Sequence, residues 1–302
     1  MRNLTKMLPF LYAVIIAVTF TGFAYADFTY QTVVYPNANK TYLWGVDQTR
    51  ILGGFKTKIV GYYTDKNNKA YAFLYDGSTY TTLSIGCQLG SYAYGISGTK
   101  IVGLCSNIYD SYSFIYDSST NNILKMSGGY LPLGISGTNI VGYYRDKDNK
   151  CHGFLYNGST YKTLDVPGEV HTLAYGISGT NIVGSYWVDA PKLPYGQQQR
   201  GFLYNGSTYK TLDVPGAVHT MPCGISGTNI VGSYSESEST LGIWLSFLYD
   251  GSTYTKLKKP GSNVTRAFGI SGNQIVGDYD NGYGFIAVMP AQFVPVPLPL
   301  PK

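Results

Sequence analysis

Charge is scarce in this chain of 302 residues. Asp, Glu, Lys and Arg together make 13% of it, about half of the roughly 25% usual for a soluble domain, and the net +5 is not gathered into a stripe. Beyond residue 26 only Arg50, Arg145, Arg200 and Arg266 remain as arginines, one to a region. A protein that neutralises phosphates needs clustered Lys and Arg, so nucleic acid is excluded as an expected partner. Histidine is rarer still, at His152, His171 and His219. There is no His-Glu-x-x-His, no Gly-x-Ser-x-Gly elbow and no EF-hand frame of glycine and terminal glutamate, so neither a catalytic residue, a metal nor a cofactor is expected.

Long hydrophobic runs are missing too, with one exception. Arg2 and Lys6 precede an apolar stretch from Met7 to about Phe23, followed by Ala24-Tyr25-Ala26. A charged segment, an apolar segment and a small-residue cleavage site make residues 1–26 read as a secretory signal peptide. Its removal takes away two positive charges, lowering the net charge to +3, and leaves no membrane span. A secreted, periplasmic or cell-surface location follows. The four cysteines, Cys87, Cys105, Cys151 and Cys223, are then free to form disulfides; a Cys87–Cys105 link and free buried thiols both fit their positions.

What the chain has in abundance is glycine (37), tyrosine (30) and repetition. The phrase GISGTNIVG, followed by GFLYNGSTYKTL, returns in variants whose anchor glycines are Gly45, Gly95, Gly134, Gly176, Gly224 and Gly269, spaced 39 to 50 residues apart. Periods of this length mark stacked or radial repeats. Within each unit four runs rich in Ile, Val, Tyr, Phe and Thr alternate with turn residues, predicting four short antiparallel strands. The turn pairs Asn157-Gly158, Asn205-Gly206, Asp76-Gly77 and Asp250-Gly251 suit a tight hairpin with positive φ at both central residues.

Six such units can form two tandem β-trefoils or one propeller. The ends of the chain decide. Thr29–Asp47 aligns without a gap on Thr208–Ser226, so the chain begins with the fourth strand of a unit, while the last unit, Gly269 to Val288, stops after its third. We therefore expect an all-β, six-bladed β-propeller of four-stranded antiparallel blades over residues 27–289, the last blade completed by the N-terminal strand, with a Pro-rich tail at 290–302.

The connections differ between the two ends of the strands. Those between strands 1 and 2 read SGTK, SGTN or SGNQ and those between 3 and 4 read NGST or DGST, whereas the 2–3 connections vary in length and chemistry, the longest running from Trp187 to Arg200. Binding resides on variable loops carried by a rigid scaffold. The ligand-binding candidates are accordingly Trp187, Tyr195, Arg200, Glu169, His171 and His219. The residues before the anchor glycines, Trp44, Tyr94, Leu133, Tyr175, Cys223 and Phe268, read as packing around a channel and secondarily as an aromatic platform. Each Ile-Val-Gly glycine is expected to admit a neighbouring blade's side chain.

The slot ahead of the Leu-Tyr hairpin reads Tyr71-Ala72-Phe73, His152-Gly153-Phe154, Arg200-Gly201-Phe202 and their equivalents. With the ISG and FLY anchors, it resembles the secreted bacterial HAF family of extracellular repeats. The resemblance implies a propeller-like fold and an exported protein, and no established activity. From the Tyr-rich, low-charge surface we expect a non-enzymatic recognition or matrix protein binding an extracellular polymer, carbohydrate ahead of protein. The alternatives are a carbohydrate-active hydrolase or lyase using the loop acids Glu169, Asp189, Glu236 and Glu238, and a structural envelope protein without a small ligand.

Overall fold

The computed structural model describes residues 28–52, 54–126, 128–193, 196–238 and 243–290. The signal-peptide reading and nearly all of the Pro-rich tail lie outside them. After β1 (Thr29–Val33) the chain runs through β2 (Lys40–Ile51), β3 (Gly54–Thr64), β4 (Ala70–Tyr75) and β5 (Tyr80–Thr82). The second unit is β6 (Gly90–Ser97), β7 (Lys100–Ser106), β8 (Tyr112–Asp117) and β9 (Asn122–Met126). The third is β10 (Leu131–Ser136), β11 (Asn139–Arg145), β12 (Cys151–Tyr156) and β13 (Tyr161–Leu164). The fourth is β14 (His171–Ser178), β15 (Asn181–Asp189), β16 (Gln197–Tyr204) and β17 (Tyr209–Thr211). The fifth is β18 (His219–Ser226), β19 (Asn229–Ser235), β20 (Leu245–Tyr249) and β21 (Tyr254–Leu257). The last is β22 (Thr265–Ser271), β23 (Gln274–Tyr279) and β24 (Tyr283–Val288).

The arrangement is that of a β-propeller, but the expected six separate four-stranded blades are not what the hydrogen bonding gives. Four blades stand as four-stranded sheets, β10–β13, β14–β17, β18–β21 and β22–β24 with β1, while β2 to β9 form one eight-stranded sheet. A single parallel bridge, Ala70 to Gly90, joins its halves. The bridge falls at one repeat position. His171 and His219 stand five residues before their anchor glycines, and each Nδ1 accepts the backbone N–H of the preceding blade, from Cys151 at 3.0 Å and from Gln199 at 3.1 Å. Gly90 occupies that position in the second unit and meets the Ala70 backbone directly, whereas Gly129, at the same position of the third unit, leaves its sheet separate. The edges are otherwise closed as the chain ends suggest: β1 pairs antiparallel with β24, Thr29 opposite Val288 and Val33 opposite Gly284.

Ile and Val of each Ile-Val-Gly run point to opposite faces of their sheet, and each enters a different apolar layer. Ile182 packs with Val141, Leu164, Ala174 and Phe202, whereas Val183 packs with Leu212, Ile225, Ile230 and Phe247. The Phe of every Phe-Leu-Tyr slot, Phe73, Phe114, Phe154, Phe202, Phe247 and Phe285, is fully buried, each contributing about 1.5–3 kcal/mol of apolar burial. The glycine that follows Ile-Val has a reason other than the one expected. A Cβ on Gly142 would meet the Leu131 carbonyl oxygen, from the inner strand of its own sheet, and Phe154 of the same blade. No neighbouring blade is involved.

That close approach is set by a β-bulge. In all six inner strands the register slips beside the anchor glycine, leaving Trp44, Tyr94, Leu133, Tyr175, Cys223 and Phe268 unpaired; a bulge re-aims the side chain it carries. The anchor glycines then touch from unit to unit: a Cβ on Gly134 would lie 2.6 Å from the Tyr175 carbonyl oxygen, and one on Gly269 would lie 2.5 Å from that of Trp44. Inner strands meeting this closely leave only about 60 Å³ along the axis.

The Ser-Gly turns are tied around the ring. Gly98 N–H donates to Asp47 Oδ2 (2.9 Å), Gly137 to Ser97 Oγ (3.0 Å), Gly179 to Ser136 Oγ (3.4 Å), Gly227 to Ser178 Oγ (3.2 Å), Gly272 to Ser226 Oγ (3.2 Å) and Gln48 to Ser271 Oγ (3.0 Å). This face is less uniform than the repeats suggest, because β2 and β3 run to 12 and 11 residues and carry Ile51 and Phe55, both more than half exposed or close to it. The Asn-Gly and Asp-Gly turns also differ from expectation. Only the glycine has positive φ, and the preceding side chain caps the turn: Asn157 Oδ1 accepts from Ser159 N–H (3.0 Å) and Thr160 N–H (2.9 Å).

Candidate functional site

The described candidates from the sequence lie on β14, β15, β16 and β18 and in the turn before β14. Trp187, half-buried on β15, lies opposite His171 on β14 and Gln199 on β16. Arg200 is held by Asp213, with Nε and Nη2 at 2.8 and 2.7 Å from Oδ2. Glu169 sits in the turn after β13, its N–H donating to Val166 O (3.1 Å). His171 is engaged by the Cys151 N–H, and His219, fully buried, by that of Gln199. Tyr195 lies outside the described residues. Trp187, His171 and Arg200 thus share one sheet and His219 belongs to the next; of the loop acids, Glu236 and Glu238 are exposed. Cys87 and Cys105 form a disulfide, while Cys151 and Cys223 are free thiols, burial pushing the Cys223 thiol up to about 12. Among the described residues no group of three or more His, Cys, Asp or Glu is placed to hold a metal ion, and no helix is long and apolar enough to cross a membrane.

A different set of residues forms a cavity at the variable end of the channel. Three positions before each anchor glycine, and one after each Ile-Val-Gly, the inner two strands place a cross-strand pair beside the channel mouth. Around the ring these are Tyr42 with Tyr62, Tyr92 with Leu104, Leu131 with Tyr143, Leu173 with Ser185, Met221 with Ser233, and Arg266 with Asp278. The frame is constant and the pair changes in every unit. Where the last unit meets the first and fifth, Tyr42, Tyr62, Trp44, Phe268, Met221, Ser233, Trp244, Arg266 and Asp278 enclose about 330 Å³, within the range of small-molecule pockets.

Two of its walls are aromatic. The bulge residues Trp44 and Phe268 stack with centroids 4.3 Å apart and planes 6° from parallel, and Tyr42 stacks on Tyr62 at 4.7 Å. Between them stands an ion pair: Arg266 Nε donates to Asp278 Oδ1 at 3.1 Å and Nη2 to Oδ2 at 2.5 Å. Asp278 is wholly buried and Arg266 one-third exposed. Desolvation raises the Asp278 carboxyl above its usual range even against the pull of the guanidinium, so the carboxylate depends on this partner. Burial, together with the nearby Asp278 charge, raises the Tyr42 and Tyr62 phenols, which stay protonated at neutral pH. Trp44 Nε1 and Ser233 Oγ are buried and have no hydrogen-bond partner among the described residues. Buried polar atoms are normally satisfied; two unsatisfied ones in a single cavity wall mark it.

Reading the sequence along its anchors offers Trp44 and Phe268 as an aromatic platform but passes over the rest of this cavity, because Tyr42, Tyr62, Met221, Ser233, Arg266 and Asp278 lie inside regular strands of three units. The available signal was the variable pair bracketing an invariant frame, with Arg266 and Asp278 the only oppositely charged pair among the six.

No family model and no curated protein matches the chain. Among solved structures it is similar to the acylaminoacyl peptidase of Pyrococcus horikoshii, at 10% identity and TM-score 0.50, the match covering 82% of this chain and 52% of that one. It is also similar to the fucose-specific lectin from Aleuria aurantia, at 16% identity, 84% and 98% coverage and TM-score 0.48. A third is the β-propeller domain of the Trilobed protease from Pyrococcus furiosus, at 13%, 82% and 81%, with TM-score 0.47. At such identities the likeness concerns fold alone.

Proposed function

We propose that this protein is an exported, non-enzymatic recognition propeller that binds an extracellular carbohydrate in the cavity at the variable mouth of its channel. The observation that carries the reading is the cavity's composition. Stacked aromatic faces on two sides suit the C–H faces of a sugar ring, and the partly exposed Arg266 guanidinium, fixed by Asp278, offers a polar group that orients a ligand in an otherwise apolar pocket. Export rests on the leader-like residues 1–26 and on the resemblance to HAF-type extracellular repeats.

A glycan array probed with residues 27–302 tests it. Trp44→Ala, with its fold checked by circular dichroism, is expected to abolish binding, and Trp187→Ala to leave it intact. Binding lost with Trp187→Ala and kept with Trp44→Ala would move the site to the neighbouring side of the same face. No binding to any glycan would refute the reading.

A further inference from the structure

Resting on that reading, we infer that the cavity takes one neutral sugar residue at a chain end or branch, and rejects uronic and sulfated sugars. Three features lead there. The cavity is blind: Trp44 and Phe268 line both it and the axial constriction beneath, where only about 60 Å³ remains, so a polymer cannot thread the channel. Its volume, about 330 Å³, lies at the small end of ligand pockets, which begin near 300 Å³, and accommodates a single ring. Its charge sums to zero, because among the described residues Arg266 and Asp278 are the only ionised ones lining it and are bonded to each other through both carboxylate oxygens.

An anionic ligand would compete with Asp278 for Arg266. Asp278 is wholly buried, and stripping a buried charge of its partner is strongly unfavourable, so the guanidinium is not available as an anion receptor. It can still donate. Two of its five N–H groups are used on Asp278, and those remaining on the one-third exposed guanidinium match the hydroxyl and ring oxygens of an uncharged pyranose.

The experiment is competition against the best array glycan, by titration calorimetry with the wild-type protein. The competitors are methyl glycosides of glucose, galactose and mannose, set against glucuronate and galacturonate. At least one neutral monosaccharide is expected to compete, and its uronate to bind at least ten-fold more weakly. Asp278→Asn, which leaves Arg266 without its counter-charge, should narrow or reverse that preference. Uronate binding as tight as the neutral sugar, or competition only from longer oligosaccharides, overturns this inference while leaving the functional reading in place. Glycan binding that is absent, or indifferent to Trp44→Ala, overturns the functional reading itself.

Discussion

Replacing Arg266 by Gln removes the counter-charge of a carboxylate that has no exposure to solvent. Breaking one side of a buried pair costs about 3–5 kcal/mol, and because the guanidinium itself is one-third exposed the lower end, about 3 kcal/mol, is expected. For a domain of this size that corresponds to a fall in Tm of about 6–12 °C. The loss carries a pH signature. Burial already raises the Asp278 carboxyl above the usual value of about 3.8 against the lowering influence of Arg266; without that influence the folded-state pKa rises further. A carboxyl with a raised folded pKa is at its most favourable below 3.8 and loses stability as pH rises through the folded value. The deficit of Arg266→Gln against the parent should therefore be largest near pH 7.5 and shrink towards pH 4.5. Adding Asp278→Asn, which leaves no charge to strand, should recover most of it. Thermal melts followed by circular dichroism at both pH values, on the parent, single and double variants, measure all three. A single variant that melts with the parent at pH 7.5, a deficit no smaller at pH 4.5, or an Asn that recovers nothing would refute the argument.

Other consequences are equally direct. Removing residues 28–33 takes away β1 and with it Val33, which is 3% exposed, and five paired positions of the last sheet; cooperative unfolding by urea should be lost or shifted well below that of the parent, and an unchanged midpoint would contradict closure by this strand. Cys87→Ser with Cys105→Ser opens a crosslink between residues 18 apart in sequence, expected to cost about 3 kcal/mol in urea titration, whereas Cys223→Ser should not reproduce that loss through loop entropy. His152 lies 2.8 Å from Asp165 Oδ2 and 3.2 Å from Asp146 Oδ2, and those carboxylates, Asp165 first, raise its pKa against desolvation. Its contribution to stability is therefore full below about 6.5 and lost as pH rises through the folded value; His152→Gln should flatten the decline in stability that sets in above that pH.

The features legible in the sequence are those that each repeat specifies on its own. Four strands per unit, Phe at the centre of each sheet and the offset of Thr29–Val33 onto the final unit all follow from comparing one copy with another. What escaped comparison depends on a neighbour. Gly90 meets the Ala70 backbone where His171 and His219 place a ring nitrogen instead, and Gly129 at the same repeat position bridges to nothing, so the merged sheet is not specified by the repeat alone. The bulge at Trp44 and Phe268 is invisible to a period-two reading, which assumes every residue is paired, and it moves those rings from a packing role to a cavity wall. Arg266 and Asp278 look like isolated charges 12 residues apart until β22 and β23 set them opposite each other. The histidines attracted notice by being few, and the structure gives two of them a backbone partner.

The belt of Ser-Gly hydrogen bonds has a mechanical meaning of its own. Every copy of the unit carries both the hook, a serine hydroxyl or in the first unit the Asp47 carboxylate, and the eye, an amide, and the seam between Ser271 and Gln48 is fastened in the same way as the junctions that have covalent chain running through them. The wheel therefore has no privileged starting point: new termini cut at Pro215 and Gly216, with the old ones joined by a linker, would leave all six fastenings in place.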